Sequence, residues 1–258
     1  MNMRKLYPIF FVLLLFLRCN SAFAVIAHAQ TFKAVGSGTS LALGAHTYTA
    51  GNMIVCGADS FRSAGGSAIS SITSAGDTLT GPDKALTNGN FRVEIWSKYN
   101  IAGGSQNYTV SYGATSQDGI TFFCSEFSGM GTTKTVDGAG ASASGSSSSP
   151  ASGSFSTTGS NALLIGLHSN GSDRNPETIN TGSGWSVDAT NGKETNGAAN
   201  LCGGMEYQLN KTGASYNGDW SLGASFSWTA VAIGFDDAGG GASFKPYSLP
   251  ITGVGQRE

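Results

Sequence analysis

The chain has 258 residues, with 14 Lys and Arg against 16 Asp and Glu, a formal net charge of −2, and only 12% charged residues. Its basic residues are scattered, which excludes a nucleic-acid surface. Few charges among abundant Gly, Ser, Thr and Asn point to an exported β-protein rather than a helical cytosolic enzyme.

At the N-terminus, Arg4 and Lys5 precede an almost wholly apolar run, Leu6 to Leu17, followed by Ala22-Phe23-Ala24 and Ala27-His28-Ala29. A basic region, a short apolar core and small residues before a cut form a secretory signal. The run is shorter than the ~20 residues of a membrane span, and no later stretch is long and apolar enough to be one. Arg18 stands where a lipoprotein signal at Cys19 needs a small residue, so lipidation is rejected. Cleavage after Ala24 is preferred, because a cut after Ala29 removes half of a first strand running through VIAHAQTFKAV. The mature chain then has about 230 residues, the size of one all-β domain, with eleven basic and sixteen acidic residues once Arg4, Lys5 and Arg18 are gone.

Short runs rich in β-branched and aromatic residues follow, bounded by Gly, Asn and Ser, with no long segment of helical period. The predicted strands are Met53–Ser60, Ala68–Ser74, Phe91–Tyr99, Tyr108–Tyr112, Ile120–Phe127, Ser154–Thr158, Ala162–His168, Trp185–Asp188, Leu201–Leu209, Ser215–Leu222 and Phe226–Phe235. Ala139–Ser154 reads as a flexible low-complexity connection. Ala238 to Glu258, with Gly239-Gly240-Gly241 near its start, reads as a Gly-rich linker and tail.

The chain also repeats itself faintly. Gly51–Val55 resembles Ser160–Leu164 about 109 positions later, Val93–Ile95 finds Met205–Tyr207 at 112, and Gly119–Phe127 finds Ser227–Phe235 at 108. The expected fold is a single all-β sandwich of jelly-roll type, built from two similar Greek-key halves that bury a core only together.

The segments TAGNMIVCGADSF, ISSITSAGDTLTG, VEIWSKYNIAGGSQNYTVSY, FFCSEFSGM and SNALLIGLHSNGS, in that order, resemble a module of bacterial exported and phage-associated proteins. The resemblance covers Val25 to Asp237. It implies a concanavalin-like or jelly-roll β-sandwich and supplies no catalytic residues.

Period-two alternation separates the faces of the long strands. Val231, Ile233 and Phe235 read as core, and their counterparts are Phe123, Ser125 and Phe127. Phe91, Val93 and Ile95 read inward, leaving Arg92, Glu94, Trp96 and Lys98 outward, while Phe122, Cys124 and Glu126 also face away from the core. The candidate ligand surface is therefore Trp96 with Glu94, Arg92 and Glu126. An indole stacks on a sugar's apolar face while a carboxylate accepts its hydroxyls. The same charged residues also suit solvated cross-strand ion pairs, with Trp96 capping the sheet. Trp185, Trp220 and Trp228 read as packing residues.

Catalytic sets are weak. Glu94 and Glu126 are the one carboxylate pair considered for glycoside cleavage, but Glu-x-Asp-x-x-Glu is missing. His28, His46 and His168 each stand alone. Cys56, Cys124 and Cys202 read as buried small hydrophobes, with one disulfide as the alternative. No cofactor is expected; the loop Ser169–Glu177 is rich in oxygen ligands for calcium but lacks calcium-loop spacing, so a plain turn is preferred. Leu249-Pro250-Ile251-Thr252-Gly253 matches a wall-sorting pentapeptide without the apolar segment and basic tail that such a signal needs. The expected function is a secreted or cell-surface, non-catalytic binding module for a glycan or other cell-surface polymer. Self-association through the tail is an additional expectation. The alternatives are a structural subunit of an appendage or virion, or a glycan-active enzyme.

Overall fold

Alternation and β-branching produce eighteen strands and no helix among the residues described by the computed structural model, 25–171, 177–195 and 201–237. Five form an antiparallel sheet in the order β1 (Ala27–Gly38), β10 (Gln117–Ser128), β4 (Met53–Phe61), β7 (Phe91–Lys98), β6 (Thr80–Asn88). Five more form a second, β11 (Val136–Ser147), β18 (Phe226–Asp236), β13 (Ala162–Gly171), β16 (Leu201–Lys211), β15 (Lys193–Glu194). Short strands make three further sheets. These are β2 (Ser40–Ala42), β9 (Thr109–Ser111), β5 (Ser71–Thr73); then β3 (His46–Tyr48) with β8 (Gly104–Gln106); and β12 (Ala151–Ser156), β17 (Ser215–Leu222), β14 (Ile179–Thr181). The fold is all-β and antiparallel, as expected.

The two halves repeat one strand order, in both the five-stranded and the three-stranded sheets. Register refines the sequence offsets. Cys124 pairs with Cys56, and Ala232, 108 residues after Cys124, pairs with Gly166. Gly166 is therefore the counterpart of Cys56, 110 residues on. The same ladders match Trp96 with Glu206 and Glu94 with Gly204. The offsets of 109 and 112 drawn from residue similarity are each wrong, and the 109 offset, being odd by one residue, would put every side chain on the opposite face.

The alternation itself is as read. Met53, Val55, Val93, Ile95, Phe123 and Phe127 meet Leu163, Ile165, Leu167, Val231, Ile233 and Phe235 in one core between the five-stranded sheets. Here β6 lies against β11 and β18, β7 against β13 and β18, and β10 against β16. The counterpart of β1 thus faces β6, and Lys33 of β1 bridges to Glu194 of β15, the counterpart of β6. This is the mutual arrangement of an isologous two-fold interface, made within one chain.

The opposite faces are covered as well. Ile54, Cys56, Trp96, Phe122 and Cys124 pack with Leu43, Ile72, Tyr108 and Val110 under the short strands of the first half. Leu164, Phe155, Trp185 and Ala232 form the matching cluster in the second, beside Ile179, Cys202, Trp220 and Leu222. The expected outward face is therefore an interior layer. This is why β4, between two neighbours and two layers, reads as an unbroken apolar run, Met53-Ile54-Val55-Cys56.

Val25 to Gln30 belongs to the folded body. Ile26 is buried in the inter-half core, its N–H donates to Asn210 Oδ1 at 2.8 Å, and its carbonyl accepts from Asn210 Nδ2 at 3.0 Å. Cys56 and Cys124, directly opposed on β4 and β10, form a disulfide, so the reading of all three cysteines as simple hydrophobes is corrected. Cys202 keeps a buried thiol.

The expected flexible connection from Ala139 is instead largely the edge strand β11. At Gly145 no side chain fits: a methyl there would lie 2.8 Å from Trp228 Cζ2. Gly138 and Gly140, with φ of 79° and 60°, make a bulge before Ala141. Lys84 Nζ donates to Ala139 O at 2.9 Å there. Bulges in β1 and β11, with Lys33 on β1 and Lys84 reaching to β11 from β6, blunt these two edges against edge-to-edge pairing. The expected leader, most of the Ser169–Glu177 loop and the tail with Leu249–Gly253 lie outside the described residues.

Candidate functional site

Three of the four predicted residues converge. Glu94 is 1% exposed; its Oε1 accepts the Ile69 N–H at 2.8 Å and the Arg92 Nε–H, and its Oε2 accepts the Trp96 Nε1–H at 2.9 Å. Arg92 continues to Thr87 Oγ1 on β6 and keeps 20% of its side chain exposed. Trp96 is 7% exposed and does not offer a ring face: a methyl on Gly81 would sit 2.5 Å from its Cδ2. The group is a buried clasp in which Arg92 keeps the largest exposed share.

Glu126 is elsewhere. Its Oε1 accepts Thr49 N–H and Asn52 Nδ2–H, both at 2.7 Å, and its Oε2 accepts Gln30 Nε2–H. It ties β1 to the segment after β3. Across β4, Glu126 is level with Lys98, and Glu94 lies four residues further along β7. Strand geometry separates the carboxylates by about 15 Å, well beyond the ~5–9.5 Å used in glycoside hydrolysis. Lys98 is taken by Asp77 at 3.4 Å, which also accepts the Tyr108 O–H at 2.9 Å.

The histidines serve the frame. His28 stacks on Tyr207 at 4.6 Å and bonds Thr31 Oγ1, which bonds Ser125 Oγ. His46 stacks on Phe32 at 3.6 Å. His168 is fully buried against Trp220, and burial holds its pKa down to about 3, so it stays neutral.

Among the buried acids that escaped the sequence reading, two have no hydrogen bond at either oxygen; an Asp or Glu at a strand position is marked outward by default. Asp59 lies wholly inside the inter-half core, its Oδ2 packed against Gly203. Neither oxygen has a hydrogen bond of normal geometry, although the Thr121 and Ser169 hydroxyls are close enough to favour its charge. Burial pushes its pKa well above the usual carboxylate range. The raised value means that Asp59 costs no stability below the unfolded-state pKa near 3.8, and that the cost grows as pH rises above it. Asp59→Asn is therefore expected to raise the melting temperature at pH 7, with the gain shrinking towards pH 4. A gain independent of pH would show that desolvation of the carboxylate is not its origin.

The second is Glu206, also fully buried with no hydrogen bond at either oxygen. In the repeat it occupies the position of Trp96. Gly204 takes the place of Glu94, and Trp220 fills that space: a methyl on Gly204 would lie 2.9 Å from its Cζ3. Comparison of the chain with protein-family models, curated proteins and solved structures finds no match.

Proposed function

We propose that the protein is an exported, non-catalytic binding module, secreted or held at the cell surface, whose ligand is a carbohydrate and whose ligand-facing group is Arg92. The observation that carries this reading is the clasp. Glu94, itself held by Trp96 and Ile69, fixes the guanidinium of the partly exposed Arg92, whose donors form a planar fork. Glu94 and Trp96 are then positioning residues, and Glu126 lies outside the site. The low charge suits a neutral ligand, and a cross-strand disulfide suits an oxidising compartment. Within this reading the leader is removed after Ala24, supported by the burial of Ile26, and mass spectrometry should find a mature chain starting at Val25.

Each half is further inferred to be a jelly roll in itself: the chain alternates between the order β1-β10-β4-β7 and the facing order β2-β9-β5. A glycan array tests the binding reading. Arg92→Ala strips the buried Glu94 of its cation and should melt lower than wild type, so binding is compared well below its melting transition, where it should lose about ten- to a hundredfold in affinity, as for a charge-assisted hydrogen bond. Absence of any bound glycan, or full binding by Arg92→Ala, overturns it.

A further inference from the structure

The clasp around Arg92 is something the fold does not require. Ser60 pairs with Arg92, and its counterpart Asn170 pairs with Cys202, so the second half has a buried cysteine where the first has Arg92. Gly204 stands there in place of Glu94. The same position in the sandwich is thus filled without a cation or its acid. Burying an ion pair costs about as much in desolvation as the pairing returns. Its effect in the first half is to hold one guanidinium still.

A guanidinium has five N–H donors. Here the Nε–H goes to Glu94 Oε1 and one Nη1–H goes to Thr87 Oγ1. Nη2 donates to no protein group and is not enclosed. Its two N–H groups, and the second one of Nη1, remain for a ligand. Thr87 is directly opposite Arg92 on β6 and is exposed. Opposite residues of an antiparallel pair share a face, so Thr87 and Glu94 grip the group from two sides on one sheet surface. The loop from Arg62 to Ile69 passes the base of the side chain. A methyl on Gly66 would lie 3.0 Å from Arg92 Cβ, and the Ile69 N–H reaches Glu94. Between its ends that loop carries only Ser, Ala and Gly, so it lays no bulky side chain over the guanidinium.

We propose that Arg92 reads two neighbouring hydroxyl groups of a neutral sugar, with one donor from each of Nη1 and Nη2, and that Thr87 is the positioning residue that fixes the plane of this fork. The proposal rests on the carbohydrate reading above and adds which part of the sugar is recognised. Hydroxyl oxygens on adjacent sugar carbons can each accept one N–H, and a preorganised planar pair of donors loses little entropy in meeting them. A carboxylate suits the same fork in shape, but the positive charge is already balanced by Glu94 at Nε. A sugar acid would set a second carboxylate across the guanidinium from a buried one, and like charges so placed are costly. The site therefore selects neutral, adjacent hydroxyls.

The test uses the mature protein on a glycan array printed twice. One copy is treated with periodate, which cleaves the bond between carbons bearing adjacent hydroxyls, and then with borohydride, which reduces the aldehydes formed. Glycans bound before treatment should be neutral, and binding should be lost after it. Thr87→Val, close in shape and exposed, should melt near wild type and lose about three- to tenfold in affinity, as for one hydrogen bond, while Thr87→Ser should bind as wild type. Arg92→Lys keeps a cation beside Glu94 but has no fork, so it should lose about as much as Arg92→Ala, ten- to a hundredfold. Binding that survives periodate, or a preference for carboxylated glycans, overturns the hydroxyl pair. Full binding by Arg92→Lys shows that charge is read and the fork is not. Full binding by Thr87→Val removes the role of Thr87. Each of these leaves the carbohydrate reading standing, whereas an array with no bound glycan, or full binding by Arg92→Ala, removes both.

Discussion

Trp96→Ala is expected to destabilise the protein by about 3–5 kcal/mol, the range for truncating a large buried aromatic. The ring lies in the first-half core beneath the short strands, and its face is closed by the Gly81 backbone. Its removal opens a cavity and takes the Nε1–H from Glu94, whose Oε2 has that donor within the clasp. At roughly 2–4 °C per kcal/mol for a domain of this size, the melting temperature should fall by about 10 °C. Trp96→Phe keeps most of the packing and loses the hydrogen bond, so its loss should be smaller by about half. A Trp96→Ala protein that melts like wild type and fails only in ligand binding would mean that the ring is exposed in solution.

Cys56→Ala combined with Cys124→Ala should cost about 4 kcal/mol. The bridge closes a span of 68 residues, and in the chain-entropy treatment a loop of that length restrains the unfolded chain by about that amount. Urea denaturation of the oxidised wild type and the double variant measures the difference. The unreduced, denatured mature protein should titrate a single thiol, Cys202. Three thiols would show that the opposed cysteines are not joined. Equal urea midpoints for the two proteins would show that the bridge adds no stability.

The candidate set was legible in part because strand alternation is local. Arg92, Glu94 and Trp96 share one face of β7, and a period of two places them there without any tertiary information. What lies over that face is not local. Of the short strands that cover it, β5 and β9 fall within the predicted Ala68–Ser74 and Tyr108–Tyr112, but β2, β3 and β8 are three residues each, too few to show a period. Strand β6 hid behind Pro82 and a polar sequence, which an edge strand tolerates. β11 hid because most of it is Gly, Ala and Ser, the composition of a linker, although Gly145 is fixed by its approach to Trp228.

The amino-acid sequence by itself determined the β class, the inward sets of the long strands and the existence of a repeat. All three rest on residue type at fixed short spacing, which the chain carries wherever it folds. Only the tertiary structure decided that Val55 is matched by Ile165 rather than Leu164, because hydrogen-bonded ladders set register and a slip of one residue inverts the face. It alone decided that Glu94 and Glu126 lie apart, that Cys56 meets Cys124, and that Glu206 is fully buried. Those outcomes depend on which strands become neighbours, and strand neighbours are chosen by layers stacking across more than a hundred residues of chain.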